Sequence, residues 1–166
     1  HKNEPKDHAL GRSRGGFTSK FHLVTDGRGV PLNVELSAGQ THDSTCFESV
    51  IDGIKVPQPL GRPRKRPKRV AGDKGYSCRR IRDWLTDHGI TPVIPRKDNE
   101  LARTDGRVKF DKKMYKRRSI IENVIGWLKE CRRIGTRFEK LAVSFQAMLQ
   151  LAMIQRSLKI AFSDSA

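Results

Sequence analysis

The stretch that decides the fold is Tyr115-Lys-Arg-Arg-Ser-Ile-Ile-Glu-Asn-Val-Ile-Gly-Trp-Leu-Lys129. Its pattern predicts a helix, which turns about 100° per residue. On one continuous helix, Tyr115, Arg118, Glu122 and Lys129 would fall within about 60° of one another, opposite an apolar side. An ordinary amphipathic helix with a solvated charged face explains such a stripe. A lone carboxylate among cations and a phenol also suits a site for phosphates and a metal ion.

A second carboxylate lies upstream, where a short apolar run ends. Residues 69–73 predict a strand that finishes at Asp73 and turns at Lys74-Gly75. A metal-binding carboxylate at a strand end is fixed by a rigid element and left accessible by the following loop. The alternative is a turn aspartate whose carboxylate bonds local backbone N–H groups.

The other segments predict alternating strands and helices. They are a β-hairpin over 21–24 and 30–36, a helix with Asp43 as its N-cap, a basic loop over 57–69, a helix over 77–88 closed by Gly89, a strand over 91–95, a loop over 96–111, and helices over 112–131 and 141–162. This order predicts an α/β fold with a mixed sheet. In the last helix we expect core packing by Phe145, Met148, Leu149, Leu151, Met153, Ile154 and Leu158.

The composition indicates the kind of partner. The chain of 166 residues has 34 Lys and Arg against 18 Asp and Glu, a net charge of +16. Such a charge favours a polyanion, with a ribosome-associated basic protein or a merely solubilising surface as alternatives. The three cysteines form no CxxC pair, which disfavours a disulfide framework and a structural zinc site. No long apolar run or signal peptide is present, so we expect a cytoplasmic, nucleoid-associated protein without membrane contact.

The spacing of Tyr115, Arg118, Glu122 and Lys129 resembles the Y-R-E-K signature of bacterial insertion-sequence transposases of the DDE (Asp-Asp-Glu) type. Further resemblance lies in residues 11–22, 39–43 and 71–76, and the order suits the family over residues 9–160. The resemblance implies a ribonuclease H-like catalytic domain, a mixed sheet flanked by helices. We place it at residues 20–162, after a polar, basic segment over 1–19.

The same resemblance implies the site residues and the chemistry. Asp73 and Glu122 would bind Mg²⁺ or Mn²⁺, and the catalytic set would include Tyr115, Arg118 and Lys129. Two metal ions would clamp the attacking and leaving oxygens while DNA is cut and its end is transferred. Because metal ions can activate the nucleophile, we expect structural roles for His22 and His42. The candidates for phosphate contacts are Arg12, Arg14, Arg132, Arg133 and Arg137.

The first catalytic aspartate of the family has no match here. It would lie on a strand upstream of Gly11, where the chain offers only Asp7, in no apolar run. Asp26 belongs to the hairpin turn, and Asp43 is explained as a helix cap. We therefore expect the chain to be a C-terminal part of the catalytic domain, to lack its first strand and to be inactive alone.

The expected partner is DNA, both the terminal inverted repeats of the element and the target. An upstream transposase fragment that supplies the first aspartate and a second copy of the chain are left open as partners. The alternative function is a non-enzymatic basic nucleic-acid-binding protein or a decayed transposase remnant. It shares the charge but predicts no metal site at Asp73 and Glu122.

Overall fold

The computed structural model describes residues 8–13, 15–97 and 110–163. The chain divides into two compact units, which we call the hairpin unit (His1–His42 with Ile120–Ala166) and the central unit (Asp43–Ser119). The mixed α/β class predicted from the sequence is confirmed. In chain order, the described elements are β1 Gly11–Ser13, β2 Gly16–Thr25, β3 Pro31–Ala38, α1 Phe47–Asp52, β4 Arg69–Ala71, α2 Arg79–Asp87, β5 Thr91–Val93, α3 Lys112–Lys116, α4 Ser119–Glu130, α5 Arg132–Gly135 and α6 Ala142–Ser163.

The predicted hairpin forms the sheet of the hairpin unit. Strand β2 pairs in antiparallel fashion with β3, from Ser19 opposite Ala38 to Thr25 opposite Pro31, and its beginning pairs with β1. The Asp26 carboxylate closes the turn, since its Oδ1 accepts hydrogen bonds from the N–H groups of Arg28 (2.8 Å) and Val30 (2.9 Å). The turn thus depends on a side chain as well as on the flexible glycines.

Helices α4 and α6 supply most of the core of the hairpin unit. Val124, Leu128 and Leu149 are completely buried, beside Phe145 and Val34. Burial of each such side chain contributes on the order of 1.5–3 kcal/mol to folding.

Core packing of α6 is confirmed for Phe145 and Leu149 but is wrong for three of the residues predicted. Leu151, Ile154 and Leu158 are 60%, 56% and 51% exposed. Helix α6 has apolar residues around most of its circumference, so its sequence does not show which side packs inward. None of the described helices is long and apolar enough to cross a membrane.

The central unit contains the parallel pair β4 and β5, in which Arg69, Val70 and Ala71 face Thr91, Pro92 and Val93. Its helix α2 buries Ile81 and Leu85 completely. Gly89 follows this helix with a φ of 67°, the left-handed conformation predicted for its end. The predicted N-cap is wrong, because α1 begins at Phe47 with Cys46 at the cap, whereas Asp43 starts a separate 3-10 turn, Asp43–Thr45.

The predicted helix over 112–131 is also wrong as a single element. Helix α3 ends at Lys116 and α4 begins at Ser119. Between them, the N–H groups of Arg117 and Arg118 bond to carbonyls three residues back, those of Met114 and Tyr115. These hydrogen bonds to the third residue back replace the α-helical bonds to the fourth residue back and interrupt the α-helix. The four signature residues therefore do not share one continuous helix.

Candidate active site

Asp73 stands directly after β4 and Gly72 and caps a 3-10 turn, Lys74–Tyr76. Its Oδ1 atom accepts a 2.8 Å hydrogen bond from the N–H of Gly75. A Cβ atom added at Gly75 would lie 2.9 Å from that Oδ1 atom, so a side chain there would press on the carboxylate. Asp73 is exposed. The local bond predicted for a turn aspartate is therefore present, and it also fixes an accessible carboxylate at a strand end.

Tyr76, which was not among the predicted site residues, is the last residue of this turn. Its ring lies 5.4 Å from that of Phe47. Burial, followed by the negative charges of Asp43 and Asp73, raises the pKa of Tyr76 to about 12. Tyr76 is therefore a neutral phenol near Asp73 throughout the physiological range. Its only signal in the sequence is its place in the segment 71–76.

Tyr115 and Arg118 lie together in the central unit. The guanidinium carbon of Arg118 is 5.6 Å from the centre of the Tyr115 ring, a cation–π arrangement. The Phe110 ring also lies near it, with 5.2 Å between the two ring centres. Asp111 holds the start of α3, since its Oδ1 accepts the N–H of Met114 at 2.8 Å. Tyr115 therefore supports the position of Arg118, a contact in keeping with their spacing of three residues.

Glu122 and Lys129 lie on α4, in the hairpin unit, and both are exposed. Seven residues make about two helical turns, so both side chains leave the same side of the helix. Val124 and Leu128, completely buried, fix which side of α4 faces the core. The predicted division of this helix into an apolar side and a polar side is confirmed over residues 119–130.

The arginines predicted to contact phosphates differ in their exposure and in their contacts within the protein. Arg12 and Arg132 are exposed, whereas Arg14 lies outside the described residues. Arg133 is also exposed and has its Nε atom 3.8 Å from Glu139 Oε1.

Arg137 is engaged in structural contacts. It donates to the carbonyls of Glu139 (2.8 Å) and Lys140 (3.0 Å) and to the Ser19 hydroxyl, and it lies 5.0 Å from the centre of the Phe145 ring. These contacts support a structural role for Arg137.

A glycine and a histidine in the segments with family resemblance serve packing. A Cβ atom at Gly39 would lie 2.8 Å from the carbonyl oxygens of both Gly11 and Thr18. Only glycine permits this close approach, which the 3.0 Å bond from Gly39 N–H to Thr18 O maintains. His22 is buried and hydrogen-bonded to Ser37 Oγ at 2.8 Å. The structural role expected for His22 is confirmed.

Of the five predicted catalytic residues, the described structure groups four in pairs and places the fifth, Asp73, beside a residue outside that set. Asp73 lies by Tyr76, Tyr115 lies by Arg118, and Glu122 shares a helix face with Lys129. Among the described residues, no group of three His, Cys, Asp or Glu side chains could hold a metal ion. The carboxylates of Asp73 and Glu122 are nevertheless exposed, and oxygen ligands of this kind suit Mg²⁺ or Mn²⁺.

Comparison with known proteins decides the family. The protein family described as "Transposase DDE domain" matches residues 1–155 of the chain. The chain belongs to this transposase DDE domain family. One relative, 36% identical over 141 residues, is provisionally named as the transposase for insertion sequence element IS402 of Burkholderia cepacia. The match covers 84% of this chain and 62% of that relative.

A second relative is provisionally named as the transposase for insertion sequence element IS6501 of Brucella ovis. It is 27% identical over 136 residues, which cover 82% of this chain and 95% of that relative. No solved structure gives a significant match. The resemblance first drawn from the signature residues is thus confirmed at the level of the DDE family, for which a divalent metal is the usual cofactor.

Proposed function

We propose that this chain is the C-terminal part of the catalytic domain of a DNA transposase, which cuts an insertion sequence from DNA and joins its ends to a target. The observation that carries this proposal is the match to the DDE family over residues 1–155, which includes both Asp73 and Glu122. Both carboxylates are exposed. Asp73 caps the turn Lys74–Tyr76, and Glu122 lies on helix α4. That arrangement suits residues that must reach a ligand from a fixed position.

Asp73 and Glu122 are the proposed ligands of Mg²⁺ or Mn²⁺. When bound, the ions would activate the nucleophile and stabilise the leaving oxygen of a DNA phosphodiester. The chain itself supplies the rigid turn that holds Asp73 through Gly75 and the buried face of α4 that orients Glu122.

Arg118 and Lys129 are proposed to hold DNA phosphates near these carboxylates. Arg118 offers several N–H donors in a fork that matches phosphate oxygens, whereas Lys129 acts as a point charge. Tyr115 is a positioning residue in this proposal, because its ring lies beneath the Arg118 guanidinium.

A third carboxylate, on a strand outside this chain, would complete the metal site. The match covers 62% of the length of the IS402 relative, so that protein has residues beyond the matched part. Within the described residues, β4 pairs only with β5 in a two-stranded sheet, so the other edge of β4 is open to a further strand. Loss of one of three carboxylates would leave the metal ions under-neutralised, and this makes the chain inactive by itself.

The proposed DNA substrate is the pair of terminal inverted repeats together with a target. Exposed Arg12, Arg132 and Arg133 support phosphate contacts, and Arg14 is proposed from its sequence alone. An upstream transposase fragment and a second copy of the chain are the further partners. Binding to DNA would place the protein at the nucleoid, in the cytoplasm.

The test is a nicking assay on linear DNA that carries the ends of the element, with Mg²⁺ or Mn²⁺. The 166-residue chain is compared with a version extended upstream through an Asp-bearing strand. We expect nicking by the extended protein alone. Robust nicking by the shorter chain, abolished in Asp73→Ala, would show that a residue of this chain completes the site. If neither protein nicks DNA but both still bind it, the non-enzymatic alternative is favoured. That alternative needs no metal site, and the described residues contain no group of three possible metal ligands.

A further inference from the structure

The basic loop predicted over 57–69 is closed at its base together with the two residues before it, and the name is used from here on for the whole segment from Lys55 to Arg69. Val56 and Arg64 exchange two backbone hydrogen bonds, of 2.9 and 2.8 Å, which form an isolated antiparallel bridge. Prolines at positions 57, 59 and 63 restrict the backbone between and around these residues. Gly61 has a φ of 87°, a left-handed conformation that glycine adopts without strain. The loop therefore presents its side chains from a restrained backbone.

All the charges of the basic loop are positive. No Asp or Glu occurs between Asp52 and Asp73. The cations are Lys55, Arg62, Arg64, Lys65, Arg66, Lys68 and Arg69, and each of them is exposed. Arg69 is neutralised by Asp111, with 3.3 Å between Nη1 and Oδ2. The remaining cations create a local positive potential, which attracts a polyanion.

An apolar residue stands at the midpoint of the bridged segment. Leu60 lies between Pro59 and Gly61 and is 92% exposed. A single exposed leucine is ordinary on a protein surface. A leucine held at the tip of a cationic loop, however, matches the apolar wedges with which some proteins enter the minor groove and open a base step.

We propose that the basic loop docks on duplex DNA, with its cations on the phosphates and Leu60 in the minor groove. The proposal rests on the proposed function, since a transposase must hold a duplex. Duplex DNA carries about one negative charge per 1.7 Å of helix axis, so a compact cluster of cations can contact several phosphates at once. The exposed cations of residues 62–69 form such a cluster. An acidic protein would satisfy the charges but would give Leu60 no defined role.

The first test measures the affinity of the 166-residue chain for a labelled duplex at several salt concentrations. The double variant Arg62→Ala/Lys65→Ala is compared with Lys140→Ala/Lys159→Ala, which removes the same charge from exposed positions elsewhere. We expect the loop variant to weaken binding at least tenfold and to lower the slope of log affinity against log salt by about 1.8, since each phosphate contact contributes about 0.9. The matched control should change the slope by much less.

The second test concerns Leu60. A duplex with end labels reports bending by energy transfer, and 2-aminopurine within it reports unstacking. Binding of the wild-type chain should bend the duplex and raise the fluorescence, and Leu60→Ala should lose both effects while it retains most of the affinity. Leu60→Met, which preserves an apolar wedge, should keep them. Urea unfolding of each variant checks that the fold is intact.

The outcomes separate this proposal from the proposed function. Equal losses in the loop variant and the matched control, or no change with Leu60→Ala, would overturn the docking proposal while leaving a transposase function standing. Competition by polyglutamate as effective as that by DNA would also overturn it, in favour of an acidic protein partner. Binding that depends on the loop, with no nicking by the extended protein, would support the docking proposal and contradict the transposase function.

Discussion

The Asp73 carboxylate accepts a 2.8 Å hydrogen bond from the N–H of Gly75, and the proposed metal ligand is therefore also the cap of its own turn. This relationship makes the two roles of Asp73 separable by substitution. Asparagine retains a side-chain oxygen for the cap but lacks the charge for a metal ion, whereas alanine lacks both.

We predict that Asp73→Ala lowers the free energy of unfolding by about 1 kcal/mol, because it removes the cap. Asp73→Asn should remain within about 0.5 kcal/mol of the wild type while it abolishes nicking by the extended protein. Urea unfolding and the nicking assay measure the two effects. Equal stability of the alanine variant and the wild type would show that the turn does not depend on this bond.

Because the pKa of Tyr76 is raised, we predict that the protein loses stability at alkaline pH. Its pKa is about 12 in the folded chain against an ordinary value of 10.0, so the folded state holds the phenolic proton more tightly. The resulting stabilisation is complete below pH 10 and is lost as the pH rises towards about 12. Tyr76→Phe should lose less stability over this interval than the wild type.

Near-ultraviolet titration of tyrosinate provides the direct measurement for Tyr76. The wild type minus Tyr76→Phe difference should show a transition near pH 12, and Asp73→Asn should move it downwards because one repelling charge is gone. A difference transition near pH 10 would contradict the burial and the charges described around this ring.

Two glycines should respond in opposite ways to alanine. Gly39→Ala should destabilise the chain by more than about 1 kcal/mol, because the new Cβ would lie 2.8 Å from two backbone oxygens. Gly126, inside α4, has nothing within 4 Å of such a Cβ, so Gly126→Ala should stabilise by about 0.5–1 kcal/mol. Thermal unfolding of both variants tests this, and a stabilising Gly39→Ala would refute the close packing of residues 11, 18 and 39.

Two leucines of α6 provide a matched test of the core. Leu149 is completely buried and Leu151 is 60% exposed. Leu149→Ala should cost about 2–5 kcal/mol of stability, whereas Leu151→Ala should cost less than about 1 kcal/mol. Similar costs in urea unfolding would mean that the exposed side of α6 is covered in solution.

Much of the fold could be predicted because its signals are local. The alternating residues around Asp26 predicted the hairpin, and the periodicity of residues 77–88 with Gly89 predicted α2 and its end. The break between α3 and α4 was missed because the residues at 116–118 are good helix formers, so nothing in their propensities marks a stop. Leu151, Ile154 and Leu158 of α6 were wrongly predicted to be buried because apolar residues occur on both sides of that helix.

The candidate site residues stay a prediction, and the contacts around them could not be read from the sequence. Asp73, Glu122 and the signature residues followed from spacing and resemblance. The surroundings of Tyr76 and the structural contacts of Arg137 depend on three-dimensional packing, which spacing does not encode. The proposed metal site itself, which needs a third carboxylate, stays a prediction.

The most direct test of the central claim is metal-dependent nicking by the extended protein with Asp73→Asn or Glu122→Gln. Their matched controls are Asp87→Asn and Glu130→Gln, which alter exposed carboxylates in α2 and α4. We expect each of the first two variants to lose nicking by about 100-fold or more, with the fold and DNA binding retained, while the controls remain within about twofold of the wild type. Wild-type rates in Asp73→Asn or Glu122→Gln would contradict the claim that these carboxylates bind the catalytic metal ions.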